Sequence, residues 1–199
     1  MRNIVNVGYD STNYYVIETA TTKLLVDVGF PGTLPKLRHA LQRTGIALSA
    51  IAYLLVTHYH PDHAGLAQEV KQQGTRLIVL DHQVAAIPAL RRHMKPQYHY
   101  REITLDDNVT ISIAQSRAFL RGVGIDGEII ATPGHSDDSV TLILDVGMAF
   151  TGDLPPPHMA TDDGGTLADS WAQIRARKVR TIYPGHGPVH PLEAESTDQ

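Results

Sequence analysis

A dense cluster of metal-ligating residue types lies in the segment THYHPDHAG, residues 57 to 65. In an extended strand alternate side chains project to the same side, so His58 and His60 would point together before Pro61 turns the chain. With Asp62 and His63 they exceed what one open catalytic metal needs, but they suit two adjacent ions. The structural alternative is a polar capping cluster at a strand-to-helix loop. Four such residues at this spacing favour a metal site.

Three later segments each add one residue of metal-binding type. They are His135 in TPGHSDDS, Asp153 in FTGDLPPP and His186 in YPGHGP, and each follows a short run that reads as a strand. Taken singly, each is better explained as a turn or cap residue. Because loops at one edge of packed sheets converge in space, the three together predict a shared site with the first segment.

The 199 residues include 11 His and no Cys. The absence of Cys excludes disulfides, thiolate zinc sites and iron–sulfur clusters. Any metal must therefore be held by imidazole and carboxylate groups.

The ordered set HxHxDH, GH, GD and PGHG resembles the metallo-β-lactamase superfamily, from the VDVG segment at residues 26–29 to the PGHG segment. The resemblance implies an α/β fold, a four-layer αββα sandwich with two mixed sheets and outer helices. It implies two divalent ions, zinc first and iron or manganese as alternatives. The implied ligands are His58, His60 and His135 for one ion, Asp62, His63 and His186 for the other, and Asp153 between them. Asp27 resembles the family residue that orients a metal-bound imidazole; a strand-end cap is the alternative.

The implied reaction is hydrolysis of a small ester, thioester or lactone by a hydroxide that bridges the metals, with Asp62 and Asp153 as catalytic carboxylates. The absence of Cys removes the branch that uses a Cys ligand, and Asp153 disfavours the antibiotic-destroying branch. Only 13 residues follow His186, too few for the glutathione-binding extension of glyoxalase II. The alternatives are a mononuclear iron persulfide dioxygenase, a β-lactam or phosphodiester hydrolase of the same fold, and a metal-bearing scaffold without turnover.

Two further segments hold candidate substrate contacts. RRHMKPQYHYR, residues 91–101, is basic and aromatic, which fits either a lid or a solvated loop; it contributes Tyr98 and His99. LPPPHM directly follows Asp153 and contributes Leu154, His158 and Met159. Asp137 and Asp138 read as a polar turn. The remaining histidines are assigned to the surface: His39, His82, His93, His99 and His190.

The spacing of apolar residues along the chain predicts the strands and helices that must position these residues. Strands are expected at 3–7, 14–18, 23–28, 51–56, 76–80, 109–114, 117–120, 128–132, 140–144, 149–151 and 181–183. Helices are expected near 34–41, 64–73 and 167–177, with another that begins at Asp81 and is bent or ended by Pro88. The chain reads as one domain over residues 1–199, with a frayed tail at 191–199.

The net charge and the hydropathy of the chain limit the kinds of partner we expect. A net charge of −4 argues against a nucleic-acid binder, since phosphate recognition needs a basic surface. The longest apolar run, Ile51 to Val56, is far shorter than the ~20 residues of a membrane-spanning helix, and the first residues lack the apolar core of a signal peptide. We therefore expect a cytoplasmic protein, a monomer or homodimer, that acts on a small molecule without membrane or nucleic-acid partners.

Overall fold

The computed structural model describes residues 3–159 and 165–192, and its first half forms a six-stranded mixed sheet. The first three strands are antiparallel neighbours, and the third to sixth are parallel neighbours. Their order in the sheet follows the chain: β1 (Asn3–Asn6), β2 (Tyr15–Glu18), β3 (Lys23–Val26), β4 (Tyr53–Leu55), β5 (Arg76–Leu80) and β6 (Val109–Ile111).

The second half forms a five-stranded mixed sheet. Its strands are β7 (Gly127–Ala131), β8 (Val140–Leu144), β9 (Met148–Gly152), β10 (Thr181–Pro184) and β11 (His190–Pro191), in the order β11-β10-β9-β8-β7. β8 is antiparallel to both β7 and β9, and β9 is parallel to β10. The carboxyl ends of β7, β9 and β10 therefore meet at one edge.

In the described ranges, six α-helices connect the strands: α1 (Leu34–Arg43), α2 (Pro61–Ala64), α3 (Ala67–Lys71), α4 (Ala86–Ala89), α5 (Ile113–Gly122) and α6 (Thr166–Ala176). Leu37 and Leu41 of α1 pack with Leu25 and Leu54 on the outer face of the first sheet. Residues of the opposite strand faces pack between the two sheets. Trp171 and Ile174 of α6 cover the outer face of the second sheet.

Side chains alternate between the two faces of each strand, and this alternation allows a sheet to pack on both sides. Leu54 belongs to the outer cluster, whereas its neighbour Leu55 packs with Leu142 and Phe150 of the second sheet. Successive strand residues point to opposite faces, and both faces of the first sheet are covered. The resulting order of helices, sheet, sheet and helix confirms the αββα sandwich with two mixed sheets.

The strand predicted at residues 117–120 is wrong, because these residues lie in α5. Ser112 begins this helix with a capping box: its hydroxyl accepts from the Gln115 backbone N–H, and the Gln115 side chain accepts from the Ser112 N–H. Ser116 and Leu120, four residues apart, form the buried face. Only three consecutive residues of this segment, Ala118 to Leu120, are apolar, and so short a run does not distinguish a strand period of 2 from a helical period of 3.6.

Smaller differences concern element boundaries. The helix predicted at 64–73 is two short helices, α2 and α3, separated at Gly65, where an added Cβ would collide with the ring of Pro31. The helix predicted from Asp81 is a 3₁₀ turn (Asp81–Gln83) followed by α4. Pro191 of the predicted frayed tail pairs with Thr181, and residues 193–199 lie outside the described part. Within the described residues no helix is long and apolar enough to cross a membrane.

Candidate metal centre

The segment after β4 brings four of the predicted ligands to the edge where the sheets meet. β4 ends at Leu55, and His58 follows three residues later with its side chain buried. His60 is extended (φ −101°, ψ 158°) and precedes Pro61, the first residue of α2. Helix α2 then carries Asp62 and His63, and the carbonyl of His63 accepts a 2.9 Å hydrogen bond from the Val28 N–H, which ties this helix to the end of β3.

The second sheet contributes the other three predicted ligands from one edge. His135 follows β7, Asp153 directly follows β9, and His186 follows β10. The three loops converge because these strands run in the same direction. The metal-ligating residues predicted from four separate segments are thus neighbours in space.

Their ligand atoms form three overlapping groups, in each of which all the atoms lie within 4.8 Å of one another. The groups are His58, His60 and His135; His58, His63 and Asp153; and Asp62, His63 and His186. The His60 Nδ1 and the His135 Nε2 are 2.9 Å apart. The Asp62 Oδ2 is 3.5 Å from the His63 Nε2 and 3.3 Å from the His186 Nε2.

The carboxylate of Asp153 lies between the first and the third of these groups, which we call the outer groups. Its Oδ1 is 3.1 Å from the His63 Nε2, and its Oδ2 is 3.4 Å from the His186 Nε2. The same Oδ2 is 3.7 Å from the His135 Nε2 and 3.9 Å from the His58 Nε2. One carboxylate therefore faces four imidazoles, two from each outer group.

Hydrogen bonds orient three of the imidazoles. The Nδ1 of His186 donates to the carbonyl of Ser11 at 2.7 Å. The Nδ1 of His63 lies 2.9 Å from the Asp27 carboxylate, and the Nδ1 of His58 lies 3.2 Å from the Thr57 hydroxyl. Because a carbonyl or a carboxylate can only accept, the first two partners place a proton on Nδ1 and leave the Nε2 lone pair for another ligand.

Three atoms inside the cluster are buried and make no hydrogen bond of good geometry within the described part of the chain: His58 Nε2, His63 Nε2 and Asp153 Oδ1. The last two face each other at 3.1 Å, whereas His58 Nε2 lies 3.9 Å from Asp153 Oδ2. Buried polar atoms without such bonds are rare because desolvation is costly, and a bound ion would satisfy all three. The set of nitrogen and oxygen donors without sulfur suits zinc, iron or manganese. The residues present therefore fit a divalent metal centre.

Burial and neighbouring charges shift the pKa values of three residues in the cluster. Burial alone would lower the pKa of His63, but the carboxylates of Asp27 and Asp153 reverse that effect and raise it to about 10. Burial and the neighbouring charge of His63 hold the pKa of His58 well below its usual value. Burial would raise the pKa of Asp153, whereas the surrounding imidazoles bring it well below its usual range. The carboxylate is thus ionised and able to bind a cation.

Asp27 lies behind the ligand cluster and contacts His63 directly. It follows β3, is 2% exposed and adopts φ 62°, a left-handed conformation that costs a non-glycine residue free energy. Its Oδ1 accepts from the Thr57 N–H at 2.6 Å, and its Oδ2 accepts from the Thr57 hydroxyl at 2.8 Å. The two sequence interpretations of Asp27 are therefore compatible, since one carboxylate caps the end of β4 and contacts an imidazole.

Of the residues predicted to contact substrate, one lies at the cavity beside the cluster and the others lie elsewhere. Leu154 lines a cavity beside Asp153, whereas His158 and Met159 are exposed and are absent from the described lining. Tyr98 packs edge-on against Phe30, with ring centres 6.0 Å apart, and His99 is exposed with φ 51°. The structure therefore brings only Leu154 to the cavity beside the cluster.

Two residues close to the cluster were not singled out by sequence. His93, assigned to the surface, is indeed exposed, but its ring centre lies 5.7 Å from that of His60. Asp138, in the predicted polar turn, accepts from the Tyr59 N–H at 2.7 Å and so holds the backbone between His58 and His60. The basic and aromatic character of residues 91–101 was the only sequence signal for His93, and Asp138 had none.

The chain belongs to the metallo-beta-lactamase superfamily, whose family model matches residues 7–186. Members of this superfamily generally bind divalent metals. A metallo-beta-lactamase family protein from Thermus thermophilus superposes with a TM-score of 0.72 at 18% identity, over 96% of this chain and 74% of that one. At this identity the likeness establishes the fold.

Two relatives identified by sequence carry different names. A beta-lactamase-like protein 2 homolog from Caenorhabditis elegans is 29% identical over 197 residues, 94% of this chain. An atrochrysone carboxyl ACP thioesterase from Claviceps purpurea is 28% identical over 188 residues, 91% of this chain. The chain spans only 60% and 52% of the lengths of these two relatives.

Proposed function

We propose that this chain is a hydrolase of small thioesters, esters or lactones that works with two divalent metal ions, zinc first among them. The single observation that carries the proposal is the position of Asp153, whose carboxylate faces imidazoles of both outer ligand groups within 3.9 Å. A carboxylate placed in this way is suited to bridge two ions.

Each outer group would hold one ion: His58, His60 and His135 the first, and Asp62, His63 and His186 the second. When bound, the ions would supply a Lewis acid for the substrate carbonyl and lower the pKa of water enough to provide hydroxide at neutral pH. Asp27 would hold the His63 ring in place through its 2.9 Å contact. No Ser or Cys nucleophile is needed for this reaction.

Asp62 is the residue we assign to proton handling. Its Oδ2 accepts from the Thr12 hydroxyl at 3.1 Å, which keeps the carboxylate turned toward His186. A half-buried carboxylate at the edge of the site can receive a proton from the attacking water and pass it to the leaving group. Asp153 would contribute negative charge that holds both ions rather than a proton.

A thioester is the substrate class we test first. The relative named as a thioesterase supports this choice. We expect protein loaded with zinc to hydrolyse acyl thioesters, and the same sample treated with a chelator to lose this activity and regain it on addition of zinc. Esters, lactones, phosphodiesters and β-lactams complete the substrate panel.

Replacing His58 tests the ligand assignment. His58→Ala should lower bound metal and thioester hydrolysis together, because a buried ligand of the first ion is lost. His39→Ala, an exposed histidine on α1, is the matched control and should keep both at the wild-type level. Normal metal content with full activity in His58→Ala would contradict the assignment. Iron in the purified protein together with oxygen consumption would instead support the dioxygenase alternative.

A further inference from the structure

A cavity of about 460 Å³ opens beside the candidate metal centre, on the side of the second sheet. His135, Asp153 and His186 of the candidate metal centre line part of it. Its walls come from three separate stretches of chain and are apolar: Leu154, Pro155, Pro156, Trp171, Pro184 and Pro188. The volume lies in the lower half of the range for small-molecule sites, about 300–1,000 Å³.

The cavity wall is held rigidly. Trp171, 4% exposed, donates from its indole N–H to the carbonyl of Pro155 at 2.8 Å. The carbonyl of Pro184 accepts from the Tyr15 hydroxyl at 2.9 Å and from the Asn13 side-chain amide at 3.0 Å. Proline has a fixed φ, so these residues lose little conformational freedom when a ligand binds. A preorganised apolar wall of this kind favours binding of an apolar group.

The cavity offers few polar partners to a ligand. Among the described residues no Lys or Arg lines it, and its only ionisable group besides the three metal-centre residues is His190, whose Nδ1 lies 2.9 Å from the carbonyl of Pro191. Away from the metal-centre residues only Thr151 and His190 offer polar side chains in the described lining, so a carboxylate, a phosphate or a chain of amides placed there would lose hydration and regain few hydrogen bonds. Biological thiols carry such amide groups, so the thiol half of a thioester is a poor occupant.

We infer that this cavity binds the acyl half of the substrate, and that the acyl group is neutral and apolar, an alkyl chain of medium length or an aryl group. The inference rests on the proposed function, because that proposal assigns the substrate carbonyl to the metal centre that lines one part of the cavity. It adds a specificity that the metal ligands alone do not define. Each methylene buried in the cavity should improve affinity by up to about fourfold, until the cavity is full.

Trp171 allows binding to be measured without any hydrolysis. It is the only Trp of the chain and lies in the cavity wall, so an apolar ligand should change its fluorescence. We would titrate linear primary alcohols of increasing length, which carry no carboxylate, into the metal-free and the zinc-loaded protein. Affinity should rise with chain length and then level off in both forms. No fluorescence change, or no dependence on chain length, would overturn the inference.

Hydrolysis provides the second readout and separates the two proposals. For the zinc-loaded protein, kcat/KM should rise from acetyl to medium-chain acyl thioesters of one common thiol. Equal kcat/KM values across the acyl series would overturn the acyl cavity while leaving the hydrolase intact. Chain-length-dependent binding of alcohols with no hydrolysis of any ester or thioester would overturn the proposed function while leaving the apolar cavity intact.

A substitution that fills the cavity can be compared with one at a neighbouring position outside the cavity. Pro188→Phe places a larger side chain in the wall and should reduce the preference for medium over short acyl groups by about 15-fold, the equivalent of roughly two lost methylenes. Val189→Phe, at the neighbouring exposed position outside the described cavity lining, should keep the wild-type preference. Pro156→Phe fills the cavity from another stretch of chain and keeps the test decisive if Pro188→Phe does not fold. A wild-type preference in a folded filled variant would overturn the inference.

Discussion

At the residue scale, the candidate site depends on polar contacts that orient three of its five imidazoles. Asp27 links β3, β4 and α2, because one carboxylate reaches the backbone of Thr57, the hydroxyl of Thr57 and the ring of His63. Its left-handed backbone is the kind of strained conformation that surrounding structure must hold in place. Asp27 therefore supports the position of a ligand without offering its own oxygen to the cluster.

Replacing Asp27 tests this role. Asp27→Asn keeps the size of the side chain but removes the charge beside His63, and we expect a loss of ~10–100-fold in metal affinity or activity. Metal affinity would be measured by competition with a chromogenic chelator. Asp81→Asn, at an exposed carboxylate outside the cluster, is the control. Unchanged affinity and activity in Asp27→Asn would reduce Asp27 to a cap of Thr57.

The raised pKa of His63 predicts how the metal-free protein responds to pH. The pKa is about 10 in the folded chain against 6.5 ordinarily, so between these values the folded state retains a proton that the unfolded state releases. This contribution to the free energy of unfolding is complete below pH 6.5 and disappears as pH rises through 10. Urea unfolding with chelator present would measure it. His63→Gln should remove this part of the pH dependence. If the free energy of unfolding varied with pH in the same way in the variant and the wild-type protein, the prediction would be contradicted.

At the element scale, the glycine that follows β10 lets the backbone of the second sheet lie close to His63 of α2. Gly185 follows β10, and its N–H donates to the carbonyl of Gly152 at 2.7 Å. A Cβ at Gly185 would lie 2.5 Å from Asp153 Oδ1 and 2.7 Å from His63 Cε1. Close approach of backbone to ligands thus requires glycine at this position.

Gly185→Ala should consequently disturb the ligands without removing any of them. We expect metal affinity to fall by about tenfold or more, since ligands lose their orientation. Gly122→Ala is the matched control: an added Cβ at the last residue of α5 meets nothing within 4 Å. That control should keep metal affinity and change unfolding free energy by no more than about 1 kcal/mol, in the stabilising direction. Equal affinities in the two variants would contradict the close-packing argument.

At the scale of the whole molecule, the ligands come from both sheets. His58, His60, Asp62 and His63 follow β4, and His135, Asp153 and His186 follow strands of the second sheet. A bound ion would therefore join the two halves of the sandwich as well as support catalysis. Ligand binding to the folded state alone stabilises it by mass action.

Removal of metal should lower the stability of the entire fold. With free zinc about a hundredfold above its Kd, each bound ion adds about 2.7 kcal/mol to the free energy of unfolding. Urea unfolding with zinc and with chelator would measure the difference. Asp153→Asn should show a smaller zinc effect, whereas Asp145→Asn, which faces Arg117 at the surface, should show the full one. Stability independent of zinc in the wild-type protein would contradict the metal centre itself.

The sequence could single out the residues that the fold brings together in the candidate site, because their chemistry is local. HxHxDH encodes donors, spacing and a turn within a few residues, and the absence of Cys limits the donors to nitrogen and oxygen. Strands such as 76–80 and 140–144 were also predicted at their observed bounds, since continuous apolar runs define them. By contrast, the run at 117–120 was too short to reveal its helical period, and the Ser112 capping box decided its structure.

Tertiary structure alone decided which residues surround the ligands. Ser11 reaches His186, Asp138 holds the backbone at Tyr59, and His93 lies beside His60 across long separations in sequence. The apolar cavity likewise combines residues 154–156, 171, 184 and 188, none of which signals a binding site by its own type. The sequence by itself determined which donor atoms, nitrogen and oxygen without sulfur, the candidate site offers, because each side chain carries its own donor atom. Only the fold determined the shape and polarity of the cavity, because these are properties of surfaces assembled from distant segments.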